Sequence, residues 1–293
     1  MTAPRARGQG SGWRRRAATA LFLLPTSAWY FLLLIVPLVI LLIFSLGQRA
    51  PEGGYAPGLT LDNYLHLPTR SAAFTNTFWL ALGGTILCVL VGYPLAYYLA
   101  TRAGSKKTLL LVLVIVPFWT SFLIRTYAWL TILGSTGIPA VLERLGFGQV
   151  VLLNTPLAVM IGIIYNYLPL MVFPLYVSLE RLDKRLLEAS KDLGAARWRT
   201  FMQVTLPLTL PGILSGIILV FIPVMGEYLI PALLGGGRVF FVGNALVDTF
   251  LQSRNWPFGS AMAIALIVVV LVAVTLYLRI GARGQVQRDV SLV

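Results

Sequence analysis

Charged residues are scarce in this chain: they make up only 11% of its 293 residues, whereas 58% are hydrophobic. Soluble domains usually carry about 25% charged residues, so this composition excludes an ordinary water-facing surface. The apolar residues form blocks near or above the ~20 residues that a helix needs to cross ~30 Å of hydrocarbon. No segments of alternating polarity indicate a barrel, and unpaired backbone groups are costly in lipid, so the blocks predict membrane-spanning helices.

Cysteine and histidine are almost absent. Cys88 is the only cysteine, so no intrachain disulfide can form. His66 is the only histidine, which argues against a histidine-based metal centre or catalytic triad, and we expect no metal site. The glycine-containing segments 104–108 and 235–237 lack the G-x-x-x-x-G-K-[ST] spacing of a phosphate-binding loop. We therefore expect a protein that is not an enzyme and that holds no cofactor of its own.

Six apolar blocks predict an all-α, polytopic membrane protein. The predicted spans cover residues about 20–46, 74–101, 108–134, 156–180, 208–232 and 257–279. We accordingly expect a six-helix transmembrane domain over 20–280, preceded by a basic tail at 1–19 and followed by a second tail at 281–293.

Basic residues are distributed unequally between the two sides of these spans. The two tails and the segments 102–107 and 181–207, together with Arg279 at the end of the last span, contain 17 Lys and Arg, whereas the opposite connections contain five. The excess of Lys and Arg in cytoplasmic segments of membrane proteins predicts that both termini are cytoplasmic. The net charge of +13 is explained by this topology, so we expect contact with membrane lipid and no binding of nucleic acid.

The predicted cytoplasmic loop 181–207 has the pattern of two short helices joined by a turn. The Asp183 side chain is suited to cap a helix over 184–193, and Gly194 can adopt the positive φ that ends it. Pro207 marks the return to the membrane. Such a bent pair of helices is suited to docking into a groove on a cytoplasmic partner.

Seven residues of this loop resemble the EAA signature of permease subunits of binding-protein-dependent ABC importers. They are Glu188, Ala189, Ser190, Gly194, Val204, Leu206 and Pro207. Their spacing matches the signature, which has alanine in place of Ser190 and isoleucine in place of Val204. The resemblance implies a fold like that of type I ABC importer permeases and a loop that docks into the ATPase. Glu188 would bond across that interface, and Gly194 would permit the bend.

Three further segments resemble the spermidine/putrescine branch of that family: Pro117–Trp129, Gly226–Gly237 and Arg254–Ala261. The resemblance implies a permease that imports polyamine in the bacterial cytoplasmic membrane. It also implies three kinds of partner: a second, homologous permease, two ABC ATPase subunits that hold ATP and Mg, and an extracytoplasmic solute-binding protein.

Six side chains are candidates for the substrate path or its gate. They are Trp119, Arg125, Tyr127, Asn166, Glu227 and Tyr228. Arg125 and Glu227 are the only charges well inside predicted spans, where a charge is costly enough to suggest a function. Two hypotheses remain open, namely a structural Arg125–Glu227 ion pair and a Glu227 carboxylate that faces a cationic solute. Aromatic rings near this carboxylate would attract ammonium groups.

Alternative functions remain. The chain could belong to an ABC importer for a different small solute. A secondary transporter or channel is a second class, although no internal repeat of the kind typical of such proteins is evident. A membrane-embedded enzyme would need a convergent set of reactive side chains within the spans, and the sequence supplies only Arg125 and Glu227 there.

Overall fold

The computed structural model describes residues 11–290, with side chains for residues 19–279. Residues 1–10 of the predicted basic tail and 291–293 of the second tail lie outside the described residues. In chain order the helices are α1 (Ser11–Tyr30), α2 (Val36–Ser45), α3 (Asp62–Leu65), α4 (Ser71–Thr101), α5 (Lys107–Trp119), α6 (Phe122–Leu133), α7 (Ile138–Arg144), α8 (Pro156–Glu180), α9 (Lys184–Asp192), α10 (Arg197–Thr200), α11 (Leu206–Leu208), α12 (Leu210–Met225), α13 (Leu229–Leu234), α14 (Val242–Val247) and α15 (Trp256–Val290). The all-α prediction is confirmed.

Short non-α segments complete the described backbone. The π-helical turns are Phe31–Ile35, Phe201–Thr205 and Asp248–Gln252, and the 3-10 turns are Leu67–Arg70 and Gly104–Lys106. Two-residue strands β1 (Gln48–Arg49) and β2 (Tyr55–Ala56) pair antiparallel, with Gln48 opposite Ala56. The first π turn immediately precedes Pro37, which has no backbone N–H to donate to the turn before it.

Four stretches of helix are long and apolar enough to cross a membrane without interruption. They are Thr19–Ser45, Leu67–Thr101, Pro156–Glu180 and Trp256–Arg279. Two bent helix pairs, Gly104–Trp119 with Phe122–Arg144 and Arg197–Leu208 with Leu210–Met225, raise the number to six if each pair is one span. Six spans agree with the sequence prediction, and the third and fifth are interrupted helices.

The predicted third span, 108–134, is broken by a bend of 93°. Pro117 lies in the last turn of α5, and Thr120 and Ser121 then adopt extended ψ angles of 155° and 130°. Proline has no backbone N–H and weakens the ladder of backbone hydrogen bonds, which accounts for a break at this point. As a result α6 starts in a new direction, and it is the helix that carries Arg125.

The predicted fifth span, 208–232, is also interrupted. Helix α12 ends at Met225, and α13 begins at Leu229 after a three-residue break. The Glu227 carboxylate Oε1 accepts hydrogen bonds from the backbone N–H groups of Leu229 at 2.8 Å and Ile230 at 3.3 Å. A side chain that satisfies free N–H groups starts a helix, so Glu227 lies at a helix start and not inside a continuous span.

Helices α4, α8 and α12 form the centre of the bundle, with their apolar side chains in one core cluster. Small residues permit this packing. A Cβ on Gly216 would lie 2.5 Å from Met171 Sδ of α8, and one on Gly212 would lie 2.7 Å from the Pro174 carbonyl oxygen. Gly212 and Gly216, one turn apart, therefore permit a close approach that joins α12 to α8.

The two ends of the bundle have different structures. The end that carries residues 102–107 and 181–207 is called the loop end below. At the opposite, hairpin end, the Tyr55 ring stacks on Phe44 with centroids 4.5 Å apart, and Phe44 stacks on Trp256 at 6.2 Å. The Gly54 N–H donates to the carbonyl oxygen of Arg254 at 2.6 Å. The first and last membrane-spanning stretches are thus joined at the hairpin end.

Candidate coupling loop and membrane polar cluster

The first arm of the loop is helix α9, and its start agrees with the sequence prediction. The Asp183 Oδ1 atom accepts a hydrogen bond from the backbone N–H of Arg185 at 2.9 Å, while Asp183 itself stays extended. This cap satisfies one of the free donors of the first turn. The helix ends at Asp192, one residue before the predicted end at Leu193.

Gly194 forms the turn between the two arms. Its φ of +78° lies in the left-handed region, which ordinary L-residues avoid by about 1–2 kcal/mol. A Cβ built on Gly194 would meet nothing within 4 Å. Glycine is therefore needed here for its backbone conformation and not for space.

A hydrogen bond across the turn joins the two arms. Ser190 Oγ of α9 lies 2.9 Å from Thr200 Oγ1 of α10, and Thr200 is buried. Ser190 is the position where the chain departs from the alanine of the EAA pattern. The substitution therefore has a structural consequence, because the extra hydroxyl fixes the angle between the arms.

The second arm continues through the π turn into α11 and anchors the loop on the membrane-spanning helices. The Phe201 ring packs edge-on against Tyr93 and Tyr97 of α4, with centroids 5.7 and 6.0 Å apart. The Tyr93 hydroxyl lies 2.9 Å from Thr209 Oγ1 at the 62° bend between α11 and α12. This bend falls immediately after Pro207, as expected for the return to the membrane.

The remaining signature residues differ in exposure. Glu188 and Ala189 are exposed on α9, whereas Val204, Leu206 and Pro207 are half-buried in the second arm. Next to the turn, Leu193 is 89% exposed and Trp198 is 68% exposed. The tip of the loop therefore exposes an aliphatic and an aromatic side chain, and aromatic residues are enriched at protein interfaces.

The polar cluster of the membrane region begins with Arg125 on α6. Only 7% of Arg125 is exposed, and its Nε and Nη1 atoms have no hydrogen-bond partner among the residues described. The guanidinium Cζ lies 5.6 Å from the centre of the Phe118 ring and 5.7 Å from that of Phe122. Aromatic faces attract this cation, but they leave its donors available.

Glu227 bonds to a tyrosine instead of to Arg125. The Tyr167 hydroxyl of α8 donates to Glu227 Oε2 at 2.5 Å, while Oε1 caps α13. Arg125 and Glu227 are not at ion-pair distance in the described part of the chain, so the expected direct pair is absent. Phe122 and Tyr167, with ring centroids 6.2 Å apart, connect the two groups.

The other candidate side chains surround this cluster unevenly. Asn166 is 1% exposed; its Nδ2 donates to the Gly162 carbonyl at 2.9 Å, and its Oδ1 has no partner among the described residues. Trp119, Tyr127 and Tyr228 are exposed. The structure thus brings Arg125 and Glu227 into one neighbourhood through Phe122 and Tyr167, whereas three of the candidate rings are exposed.

Sequence reasoning missed Tyr167 and Thr200. Tyr167 lies in an apolar run that contains several other aromatic residues, so nothing in the sequence distinguished it from a packing residue. Thr200 was identifiable only in part. A turn at Gly194 brings a residue ten positions after Ser190 back towards it, but the sequence does not show that the two hydroxyls meet.

The helical bundle, its broken spans and its amphipathic loop define a polytopic membrane permease. Residues 89–283 match the model of a protein family described as "binding-protein-dependent transport system inner membrane component". The chain belongs to this family. It is therefore the multi-pass, noncatalytic permease component of an ABC importer in the inner membrane, as the sequence predicted.

Individual relatives support the same assignment. The chain is 41% identical to the spermidine/putrescine transport system permease protein PotB of Haemophilus influenzae, over 90% of this chain and 94% of that protein. It is 39% identical to PotB of Escherichia coli, over 86% and 93%. A bacterial alginate ABC transporter, solved with an alginate-bound periplasmic protein, has a chain of similar fold, with a TM-score of 0.70, 21% identity and coverage of 92% and 96%.

Proposed function

We propose that this chain forms one half of the translocation path of an ATP-driven importer of polyamines, spermidine or putrescine. The observation that carries the substrate class is the identity of 39–41% to permeases named for spermidine and putrescine, over nearly their whole length. The coupling loop supports the ATP-driven part of the proposal, since it has the rigid turn and the exposed apolar tip that docking requires.

The proposed assembly contains a second, homologous permease, two ABC ATPase subunits and an extracytoplasmic solute-binding protein. ATP and Mg bind to the ATPase subunits, which this chain contacts through Glu188 and the tip of the loop. The loop end and both termini face the cytoplasm, because the excess of basic residues lies on that side. Residues 20–280 form the transmembrane domain, with the tails 1–19 and 281–293 outside it.

The polar cluster has two proposed functions in this path. The exposed rings of Trp119, Tyr127 and Tyr228 attract the ammonium groups of a polyamine. Glu227, whose two oxygens are already bonded, acts as a positioning residue that holds α13 against α8. This division favours a structural role for Glu227, without the ion pair to Arg125, over direct contact with substrate.

The test is uptake of radiolabelled spermidine by bacterial cells that lack other polyamine importers. Cells expressing the complete importer are compared with cells in which this chain alone is deleted, and unlabelled putrescine and unrelated solutes serve as competitors. We expect uptake that depends on the chain and is competed by polyamines only. Competition by an unrelated solute, or unchanged uptake on deletion, would reject the polyamine substrate and leave an importer of another small solute.

A further inference from the structure

A second site lies beneath the coupling loop, away from the polar cluster. A cavity of about 300 Å³ separates the end of α4 from the two arms of the loop. Its lining residues are Tyr97, Arg102, Leu187, Lys191, Arg197, Thr200, Phe201 and Thr205. The three cations come from three different elements: Arg102 follows α4, Lys191 lies on α9, and Arg197 starts α10.

The charge of this cavity is uncompensated. Arg102, Lys191 and Arg197 make no side-chain hydrogen bond or ion pair with any residue in the range 19–279. No acidic side chain is among the described residues that line the cavity. All three side chains are exposed. Three cations that line one cavity without an acid give it a positive potential, which favours an anionic ligand.

The position of the cavity indicates the source of the anion. Phe201, which lines it, packs against Tyr93 and Tyr97, so the cavity lies on the side of the loop that faces α4. The apolar tip residues Leu193 and Trp198 are not part of its lining. Because Arg102 follows the last residue of a membrane-spanning helix, the cavity lies at the level where phospholipid headgroups begin.

We propose that this cavity binds the phosphate group of an anionic phospholipid, such as phosphatidylglycerol. The cations bind the phosphate, and Leu187, Tyr97 and Phe201 offer apolar contacts to the remainder of the headgroup region. Basic pockets beside spanning helices bind such headgroups on the cytoplasmic side. The inference rests on the proposed function for the cytoplasmic placement of the loop end. The bound phosphate would tie both arms of the loop to the end of α4.

The test measures lipid binding by the purified full chain in detergent with native mass spectrometry. Dioleoyl phosphatidylglycerol and dioleoyl phosphatidylcholine are titrated separately. The test variant is Arg102→Gln/Lys191→Gln/Arg197→Gln. The control variant, Lys106→Gln/Lys184→Gln/Arg199→Gln, removes the same number of charges from the same end of the bundle but outside the cavity lining.

We expect selective retention of phosphatidylglycerol by the natural chain and by the control variant. Each cavity charge removed should weaken this binding about fivefold, so the test variant should lose roughly a hundredfold. Equal retention of the two lipids, or equal losses in the two variants, would overturn the proposal.

Two further measurements complete the experiment. Inorganic phosphate is titrated against the bound lipid, and displacement of the lipid supports a phosphate-binding site. Binding of phosphate by a chain that retains no lipid would instead identify free phosphate as the ligand and would overturn the lipid proposal. The single variant Lys191→Glu changes only one exposed side chain and serves if the triple variant is unstable. Unchanged lipid binding by Lys191→Glu would contradict the proposal. Lipid binding is measured without uptake, so failure here is distinguishable from failure of the polyamine assignment.

Discussion

Replacement of Gly194 tests whether the shape of the coupling loop is required for transport. The residue has φ of +78°, and a Cβ would meet no atom within 4 Å. Any effect of a substitution therefore comes from backbone conformation and not from a clash. Valine and asparagine separate the effect of backbone conformation from the effect of adding a side chain. Both fill the open space, but β-branched residues are outliers in this conformation, whereas asparagine is enriched.

The expected magnitude follows from the left-handed conformation. An ordinary L-residue costs about 1–2 kcal/mol there, and valine costs at least as much. Since about 1.4 kcal/mol is a factor of ten in an equilibrium, Gly194→Val should reduce the population of the observed loop by roughly tenfold or more. Gly194→Asn should cause a much smaller loss.

The assay compares binding of the ATPase subunit and spermidine uptake in proteoliposomes that contain the complete importer. We expect weaker ATPase binding and lower uptake for Gly194→Val, with unchanged membrane insertion, and near-normal values for Gly194→Asn. Normal uptake by the valine variant would refute the coupling function of the turn. Equal losses in both variants would refute the conformational reasoning, because exposure of any side chain at the tip would then be sufficient.

Three further substitutions test other contacts. Tyr167→Phe removes a donor from the buried carboxylate of Glu227 and should cost about 1–3 kcal/mol, seen as a lower melting temperature of the complex; an unchanged melting temperature with weaker spermidine uptake would instead favour contact with substrate. Ser190→Ala should destabilise the loop by about 0.5–1.5 kcal/mol and increase hydrogen exchange near the turn, whereas unchanged exchange would contradict the bond. Gly212→Ala should reduce the yield of folded protein, because its Cβ would lie 2.7 Å from a backbone oxygen. In the control Gly83→Ala the Cβ meets only a flexible methionine at 3.2 Å. Equal yields of the two variants would argue against the close packing of α12 on α8.

The sequence predicted the parts of the molecule that local chemistry determines. The capped start of α9, the turn at Gly194 and the extent of α8 follow from residue type and hydropathy, which act over a few neighbouring positions. The break at Gly226–Tyr228 was not predicted, because Glu227 was treated as a charge inside a span. Glu227 bonds to Tyr167, which lies 60 positions away in the sequence. A contact over that separation cannot be predicted from neighbouring residues.

The bend between α5 and α6 illustrates a second limit. Pro117 weakens the helix locally, but a proline does not determine how sharply the chain turns or which helix the second half packs against. Helix α6 contacts α8 and α13, and this choice depends on tertiary packing. The same reason explains why an ion pair was expected for Arg125, whereas the structure surrounds its guanidinium with phenylalanine rings.

The close approach of α8 and α12 at Gly212 also determines how far the coupling loop can vary in length. The two helices hold the ends of the loop together. The positions of these ends are therefore set by the helices and not by the residues at the tip of the loop. Doubling the length of a flexible closed loop costs only about 0.6 kcal/mol in closure entropy. A few residues inserted beside Gly194 would therefore leave the folding of the bundle almost unaffected. In the proposed importer, the length of this loop is set instead by the reach that docking to the ATPase requires.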